Sequence, residues 1–246
     1  MAEKTREEGA LDPRQAAIDA LLALSAETAW KDIGLNDIAG KAGLKLSLLR
    51  GLFPSKGAML AAYSRQVDQA VLDGIDEGMA DEPARERLFD VLMRRLDVLA
   101  PHKVAIENIS KAFAVDPLSL AAWNRVVTNS MQWMLVAADI DAEGPLGAVR
   151  AQGLALAWSR IIKVWLRDDD EGLAVTMKEV DRQLRSGERW MERADDLFQI
   201  FKPFCRMAER SHERRSRMRE RLRTRFHDFA DARRRRSGGQ DDAEAV

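Results

Sequence analysis

Apolar residues recur every three or four positions along most of the chain, which predicts a protein built from α-helices. The first such run begins at Pro13, carries Ile18 and Leu21 on one face, and is predicted to end near Trp30. We find no alternation of apolar and polar residues long enough to predict a strand. The expected fold class is therefore all-α.

Capping residues, glycines and prolines divide this pattern into separate helices. The pairs Asp12-Pro13 and Asp116-Pro117 each place an acid before a proline, which is typical of a helix start. Predicted helices span 34–42, 45–53, 55–78 and 146–167, and predicted loops span 139–147 and 168–172. A glycine at position 43, in a left-handed conformation, is expected to end the second helix.

Composition excludes several classes of protein. The 246 residues are 46% apolar and 32% charged, which predicts a folded chain with a core, and the 6% content of aromatic residues argues against an all-β fold. The single cysteine, Cys205, excludes a disulfide framework, and three scattered histidines leave no metal or other cofactor to expect. We find neither a Ser-His-Asp constellation nor a glycine-rich phosphate loop, so an enzyme is not expected. Without a signal-peptide pattern or a long apolar run, a soluble cytoplasmic protein is expected.

Charge is distributed unevenly along the chain. The net charge is −1, but residues 202–236 carry 14 Lys or Arg and only 5 Asp or Glu. The last ten residues are acidic. A basic segment of this kind normally meets phosphate on nucleic acid or on anionic lipid.

A helix-turn-helix pattern occupies the N-terminal part of the chain. Ala39 is small where two helices would cross, Gly43 turns the chain, and Leu44, Leu49 and Phe53 would hold the second helix on the first. The pattern predicts a compact unit that presents one short helix.

The order and spacing of these residues resemble the TetR (tetracycline-repressor-like) family of bacterial regulators. The family pattern "D-I-A-x-x-A-G-V-S" followed by "F-x-S-K" is similar to Asp37-Ile38-Ala39-Gly40-Lys41-Ala42-Gly43-Leu44 and to Phe53-Pro54-Ser55-Lys56, and the resemblance covers residues 12–64. It implies an all-α dimer with a three-helix head that reads double-stranded DNA, a helical core with an effector cavity, and here a long basic C-terminal helix. The DNA-binding residues that it implies are Lys41, Lys45, Leu46, Ser47, Arg50 and Lys56.

The chain departs from the family at several of these positions. Lys45 stands where a Ser or Thr is usual, Leu46 where an Arg or Lys is common, and Arg50 where a Tyr is common. The departures leave a second interpretation open. The chain is also similar to the lipid-binding accessory family of ubiquinone biosynthesis, whose TetR-like fold no longer reads DNA and whose C-terminal helix docks on membranes.

Tryptophans and methionines concentrate in the second half of the chain. Such side chains suit a pocket for an apolar small molecule or lipid, although an ordinary core shows the same spacing. The predicted ligand-binding residues are Trp123, Met131, Met134, Trp158, Ile162, Trp165 and Met177. Small residues on the long helix after residue 146 predict either a homodimer interface or packing within the subunit, through Ala148, Gln152, Ala155 and Ser159.

The basic C-terminal segment has three interpretations: it lies on an anionic membrane surface, it follows a DNA backbone, or it is a solvated helix. Membrane attachment would make the protein peripheral at the membrane. The predicted membrane or phosphate contacts are Phe201, Phe204, Arg221, Leu222, Arg225 and Phe226. The predicted organisation is a flexible N-terminus (1–11), a helix-turn-helix domain (12–54), a ligand-binding and dimerisation core (55–196), a basic arm (197–236) and a disordered acidic tail (237–246).

Overall fold

A computed structural model describes residues 12–189, and within this range the chain is helical and contains no β-strand. The helices are α1 (Pro13–Glu27), α2 (Leu35–Lys41), α3 (Leu46–Leu52), α4 (Lys56–Asp73), α5 (Ala84–Leu99), α6 (Lys103–Ala114), α7 (Pro117–Ala137) and α8 (Gly144–Trp165). Residues 174–189 form a further helix, α9. Short 3₁₀ turns occupy Trp30–Asp32, Glu77–Met79 and Ala100–His102. The predicted all-α class is confirmed.

The predicted capping residues start their helices. The Asp12 carboxylate accepts a hydrogen bond from the Arg14 amide at 3.0 Å, and the Asp116 carboxylate accepts from the Leu118 amide at 3.1 Å. The Ser55 hydroxyl accepts from the amide of Ala58 at 3.2 Å and so starts α4. Each of these bonds satisfies an amide that has no partner within its own helix.

Two helices end earlier than their periodicity predicts. Helix α1 ends at Glu27 instead of Trp30, because Thr28 adopts an extended conformation and the chain then forms a 3₁₀ turn. Helix α4 ends at Asp73 instead of Gly78. At Gly74, an added Cβ would lie 3.0 Å from a guanidinium nitrogen of Arg94, so glycine lets α5 approach closely.

One continuous core joins the N-terminal helices to the rest of the described chain. Helix α1 packs against α2, α4 and α6, while α4 also packs against α5 and α7, and α7 packs against α8. Ile18 of α1, Met59 of α4, Leu92 of α5, Met131 of α7 and Ile161 of α8 are all fully buried. Helix α4 therefore contributes to both the head and the body of the molecule.

A buried ion pair lies at the centre of the body. The Arg95 guanidinium of α5 donates a hydrogen bond to the Asp68 carboxylate of α4, and the Ser130 hydroxyl of α7 donates to the same oxygen at 2.6 Å. The guanidinium also lies 5.4 Å from the ring centroid of Trp158 on α8. Burial lowers the pKa of Arg95, although the neighbouring Asp68 carboxylate favours the charged form. Burial also raises the pKa of the Tyr63 hydroxyl to about 12, an effect that Arg95 partly offsets.

We expect Asp68→Ala to lower the free energy of unfolding by about 3–5 kcal/mol, because it leaves the buried Arg95 charge without a partner. Urea denaturation followed by circular dichroism measures this loss. In the double variant Asp68→Leu/Arg95→Met both charges are gone, so most of the lost stability should return. Asp90→Ala is the control: it removes a half-exposed ion pair with Arg94 on α5 and should cost at most about 1 kcal/mol. An Asp68→Ala variant as stable as the control would contradict this account.

Candidate nucleic-acid interface

The turn between α2 and α3 is built from short backbone contacts. Gly43 has a φ of 66°, in the left-handed region that favours glycine, as the sequence predicts. The Leu44 amide then donates to the Ala39 carbonyl at 2.9 Å. At the start of α2 the Gly34 amide donates to the Asp37 carboxylate at 2.8 Å. The backbone of α2 and its turn is thus held independently of any partner.

Helix α3 attaches to the head through a narrow apolar face and exposes the rest of its surface. Leu49 and Phe53 are buried, and Leu52 is half-buried. The exposed residues are Lys45, Leu46, Ser47, Leu48, Arg50 and Gly51. Five of the six residues predicted to bind DNA are exposed, namely Lys41, Lys45, Leu46, Ser47 and Arg50, and four of them lie on α3 or at its N-terminal cap.

Charge around α3 is positive. Between Ile38 and Val67 the sequence carries five Lys or Arg residues and no Asp or Glu. The Lys41 ammonium lies 3.6 Å from the Glu27 carboxylate on the surface, a weak pair that a stronger anion can displace. Within the described range, neither Lys45 nor Arg50 has an acidic partner within 4.0 Å. This region attracts polyanions.

Lys56 is engaged inside the head, unlike the other residues predicted to bind DNA. Its ammonium donates to the Trp30 carbonyl at 2.7 Å and to the Ile33 carbonyl at 2.5 Å, and it lies 4.8 Å from the centroid of the Trp30 indole. Burial lowers its pKa, while Asp32 and Asp37 raise it. The side chain therefore joins the start of α4 to the turn after α1, and its donors do not face solvent as a phosphate contact requires. Sequence reasoning missed this because the two carbonyls lie more than 20 residues away along the chain.

Arg14 is a cation near α3 that the sequence pattern does not single out. Its guanidinium lies 4.4 Å from the ring centroid of Phe53 and donates to the carbonyl of Leu52 at 3.3 Å. The side chain comes from the first turn of α1, so only the packing of α1 against α3 brings it to this surface. It adds a positive charge at the C-terminal end of α3.

The residues predicted to bind an apolar ligand divide into three groups. Met131, Met134, Trp158 and Trp165 are buried in the core, Trp123 and Ile162 are half-buried, and Met177 is 37% exposed at the surface of α9. The structure thus separates Met177 from the buried members of the set.

Two clefts open on the surface of the body. One of about 240 Å³ includes Arg87 and Asp139 in its lining. The other, of about 210 Å³, includes Arg65 and Asp68. None of the seven residues predicted to bind a ligand lines either cleft, and the apolar pocket stays a prediction.

The residues predicted to form a dimer interface do not share one environment. Ala148 and Ser159 are exposed on α8, whereas Ala155 is 2% exposed and packs inside its own subunit. The Gln152 side chain accepts hydrogen bonds at 3.1 Å from both the Asn124 amide and the Thr128 hydroxyl of α7.

Two large apolar side chains of α8 point to solvent instead. Val149 is 44% exposed and Leu156 is 51% exposed. They are separated by two helical turns and therefore lie on the same side of the helix. The search for small residues missed them, because the same periodicity suits a buried face.

The predicted membrane or phosphate contacts, Phe201, Phe204, Arg221, Leu222, Arg225 and Phe226, lie outside the described residues, as does the whole arm of 197–236. The alternative function as a membrane-docked lipid carrier stays a prediction. Among the described residues, no helix is long and apolar enough to cross a bilayer. No group of three or more His, Cys, Asp or Glu side chains within residues 12–189 is arranged to hold a metal ion.

Comparison with known proteins was informative at the level of structure. No protein-family model and no curated protein matches the sequence. A TetR transcriptional regulator from Nitrosomonas europaea ATCC 19718 is 25% identical, and the match covers 72% of this chain and 99% of that one with a TM-score of 0.56. A TetR transcriptional regulator from Rhodococcus sp. RHA1 is 19% identical, and the match covers 75% of this chain and 97% of that one with a TM-score of 0.54.

These matches extend well beyond the helix-turn-helix and include most of the helical body. They agree with the order of the helices and with the outward position of α3. The chain therefore has the fold of the TetR-family transcriptional regulators, as its helix-turn-helix pattern predicted.

Proposed function

We propose that the protein is a DNA-binding transcriptional regulator of the TetR type. The observation that carries this proposal is the exposed surface of α3, which lies in a segment of 30 residues with five cations and no acid, on a fold shared with solved regulators. A packing element would have no reason to expose a whole helical surface. A surface that meets DNA needs both the exposure and the positive charge.

The dimensions of α3 suit the major groove. An α-helix with its side chains is about 10–12 Å across, and the major groove of B-DNA is about 12 Å wide. In this position Lys41 and Lys45 would meet phosphates. Arg50 is the only guanidinium on α3, and it would bind either a guanine edge or a phosphate.

Reading two half-sites requires a second copy of the chain. Two heads must lie about 34 Å apart to enter successive major grooves on one side of a duplex. We assign the dimer contact to the exposed side of α8, because Val149 and Leu156 are large apolar side chains that the subunit itself leaves uncovered. Ala148 and Ser159 are exposed on the same helix and would let the partner approach closely.

Control by an apolar small molecule is part of the same proposal. The body, residues 55–196 in our assignment, contains soft and adaptable side chains, and Met131, Met134 and Trp158 lie at its centre. Helix α6 contacts the head directly, since the Asn108 amide donates to the Ser25 carbonyl at 3.0 Å. A ligand that displaced α6 would move the head of residues 12–54.

For Arg50→Ala we expect at least tenfold weaker binding to the DNA upstream of the protein's own coding region, because one charged contact to a base or phosphate is lost. Fluorescence anisotropy between 50 and 300 mM KCl measures both the affinity and its salt dependence. Arg125→Ala, which removes an exposed arginine of α7, is the matched control and should bind as the wild type does. Equal binding of upstream and random duplexes, together with an unchanged Arg50→Ala variant, would sink the proposal.

Substituting Lys56 should affect stability first. In Lys56→Met the carbonyls of Trp30 and Ile33 lose their charged donor, so the free energy of unfolding should fall by about 1–3 kcal/mol. Lys45→Met is the control, because Lys45 is exposed and makes no such contact. It should keep its melting temperature but bind duplex DNA more weakly. If the melting temperature of Lys56→Met matched that of the wild type, the internal role of this lysine would be wrong.

Leu156→Asp should convert the dimer to a monomer, since it places a charge in the proposed apolar contact. Sedimentation velocity of the full chain at micromolar concentration distinguishes the two species. Val115→Asp changes another exposed apolar residue, 84% exposed at the end of α6, and should leave the dimer intact. A monomeric wild type, or a Leu156→Asp variant that remains dimeric, would contradict the assignment.

A further inference from the structure

The outward surface of α3 has an unusual composition for a surface that meets DNA. Ser47 and Gly51 are one helical turn apart and face directly away from the buried Leu49. Leu46 and Leu48 lie on either side of Ser47 and are 48% and 46% exposed. The helix thus presents a small centre between two apolar flanks.

The fold itself does not require glycine at position 51. A Cβ added there would meet no atom within 4 Å, and the residue has ordinary helical backbone geometry without a positive φ. Glycine nevertheless weakens a helix relative to alanine. Its position on the exposed surface points to a partner whose atoms approach the helix backbone closely.

The two leucines are equally unexplained by packing within the head. Ile38, Leu49 and Phe53 show that large apolar side chains of the head are otherwise buried. Exposing Leu46 and Leu48 to water has a cost that contact with an apolar group of a partner removes. The surrounding cations restrict that partner to an anion. The apolar feature that duplex DNA presents in its major groove is the C5-methyl group of thymine.

We propose that α3 selects its DNA sequence by contact of Leu46 and Leu48 with thymine methyl groups. In this arrangement Ser47 and Gly51 allow the helix backbone to approach the base edges, and Arg50 and Lys45 hold the flanking phosphates. The inference rests on the proposed function and specifies its substrate: duplexes with thymines at the positions that the two leucines reach.

The test begins with a probe that does not assume an operator. The full chain selects duplexes from a random 30-base-pair library, and the enriched duplex is then synthesised with deoxyuridine at single thymine positions. Deoxyuridine pairs as thymidine does but lacks the methyl group. We expect about fourfold weaker binding for each contacted methyl that is removed, the effect of losing one buried carbon.

Variants connect this loss to the leucines. Leu46→Ala and Leu48→Ala should each bind the enriched duplex more weakly, and each should lose the response to deoxyuridine at its own position. Leu120→Ala is the matched control, because Leu120 is 49% exposed on α7, and it should retain both the affinity and the response. Melting temperatures of all three variants establish that they are folded.

Glycine 51 provides a second measurement of the same contact. Gly51→Ala should raise the melting temperature and weaken binding to the enriched duplex. Gly187→Ala, at another exposed helical glycine with open space around it, should raise the melting temperature without changing the affinity. Wild-type affinity in Gly51→Ala would overturn the close approach.

The outcomes separate this inference from the proposed function. If the chain enriches one sequence but binds its deoxyuridine form equally well at every position, the thymine contacts are wrong and sequence-specific binding stands. If a deoxyuridine effect persists unchanged in both leucine variants, Leu46 and Leu48 are not the readers. If the library yields no preferred sequence, the proposed function fails and the inference fails with it.

Discussion

Helix α4 has to be held at both ends, and the architecture of the described chain depends on this constraint. At its start, the Lys56 ammonium binds the carbonyls of Trp30 and Ile33 and so fixes the head. Three turns later, Asp68 binds Arg95 and Ser130 at the centre of the body. Both contacts use charge-assisted hydrogen bonds away from bulk water, where a donor or acceptor left without a partner costs the most. A rigid α4 then transmits the position of the body to the head.

The head balances charge and apolar surface in a way that suits a polyanionic partner. Its acids are largely engaged elsewhere: Asp12 and Asp37 cap helices, and Glu27 pairs with Lys41. The cations near α3 consequently act without acids beside them in the sequence. Long-range attraction of DNA needs only this charge, whereas discrimination between sequences needs contacts at the base edges. On α3 most of those contacts fall to uncharged side chains.

Several features of the site were predictable because they depend on neighbours in sequence. The capping acids, the left-handed glycine at position 43 and the apolar spacing of Leu49 and Phe53 all act within one or two helical turns. Such signals survive in the unfolded chain. The roles of Lys56 and Arg14 were not predictable, because their partners are between 23 and 39 residues away. A lysine after a Phe-Pro-Ser turn has the same sequence whether it faces phosphate or a carbonyl.

The sequence by itself determined the all-α class, the helix-turn-helix and the start of most helices, since helical period and capping are local properties of the chain. Only the tertiary structure decided which apolar faces are covered. Ala155 is buried within its own subunit, Leu156 beside it is exposed, and Met177 lies at the surface, although all three follow a helical period. Periodicity states which residues share a face, but the neighbouring helix that covers that face comes from a distant part of the chain.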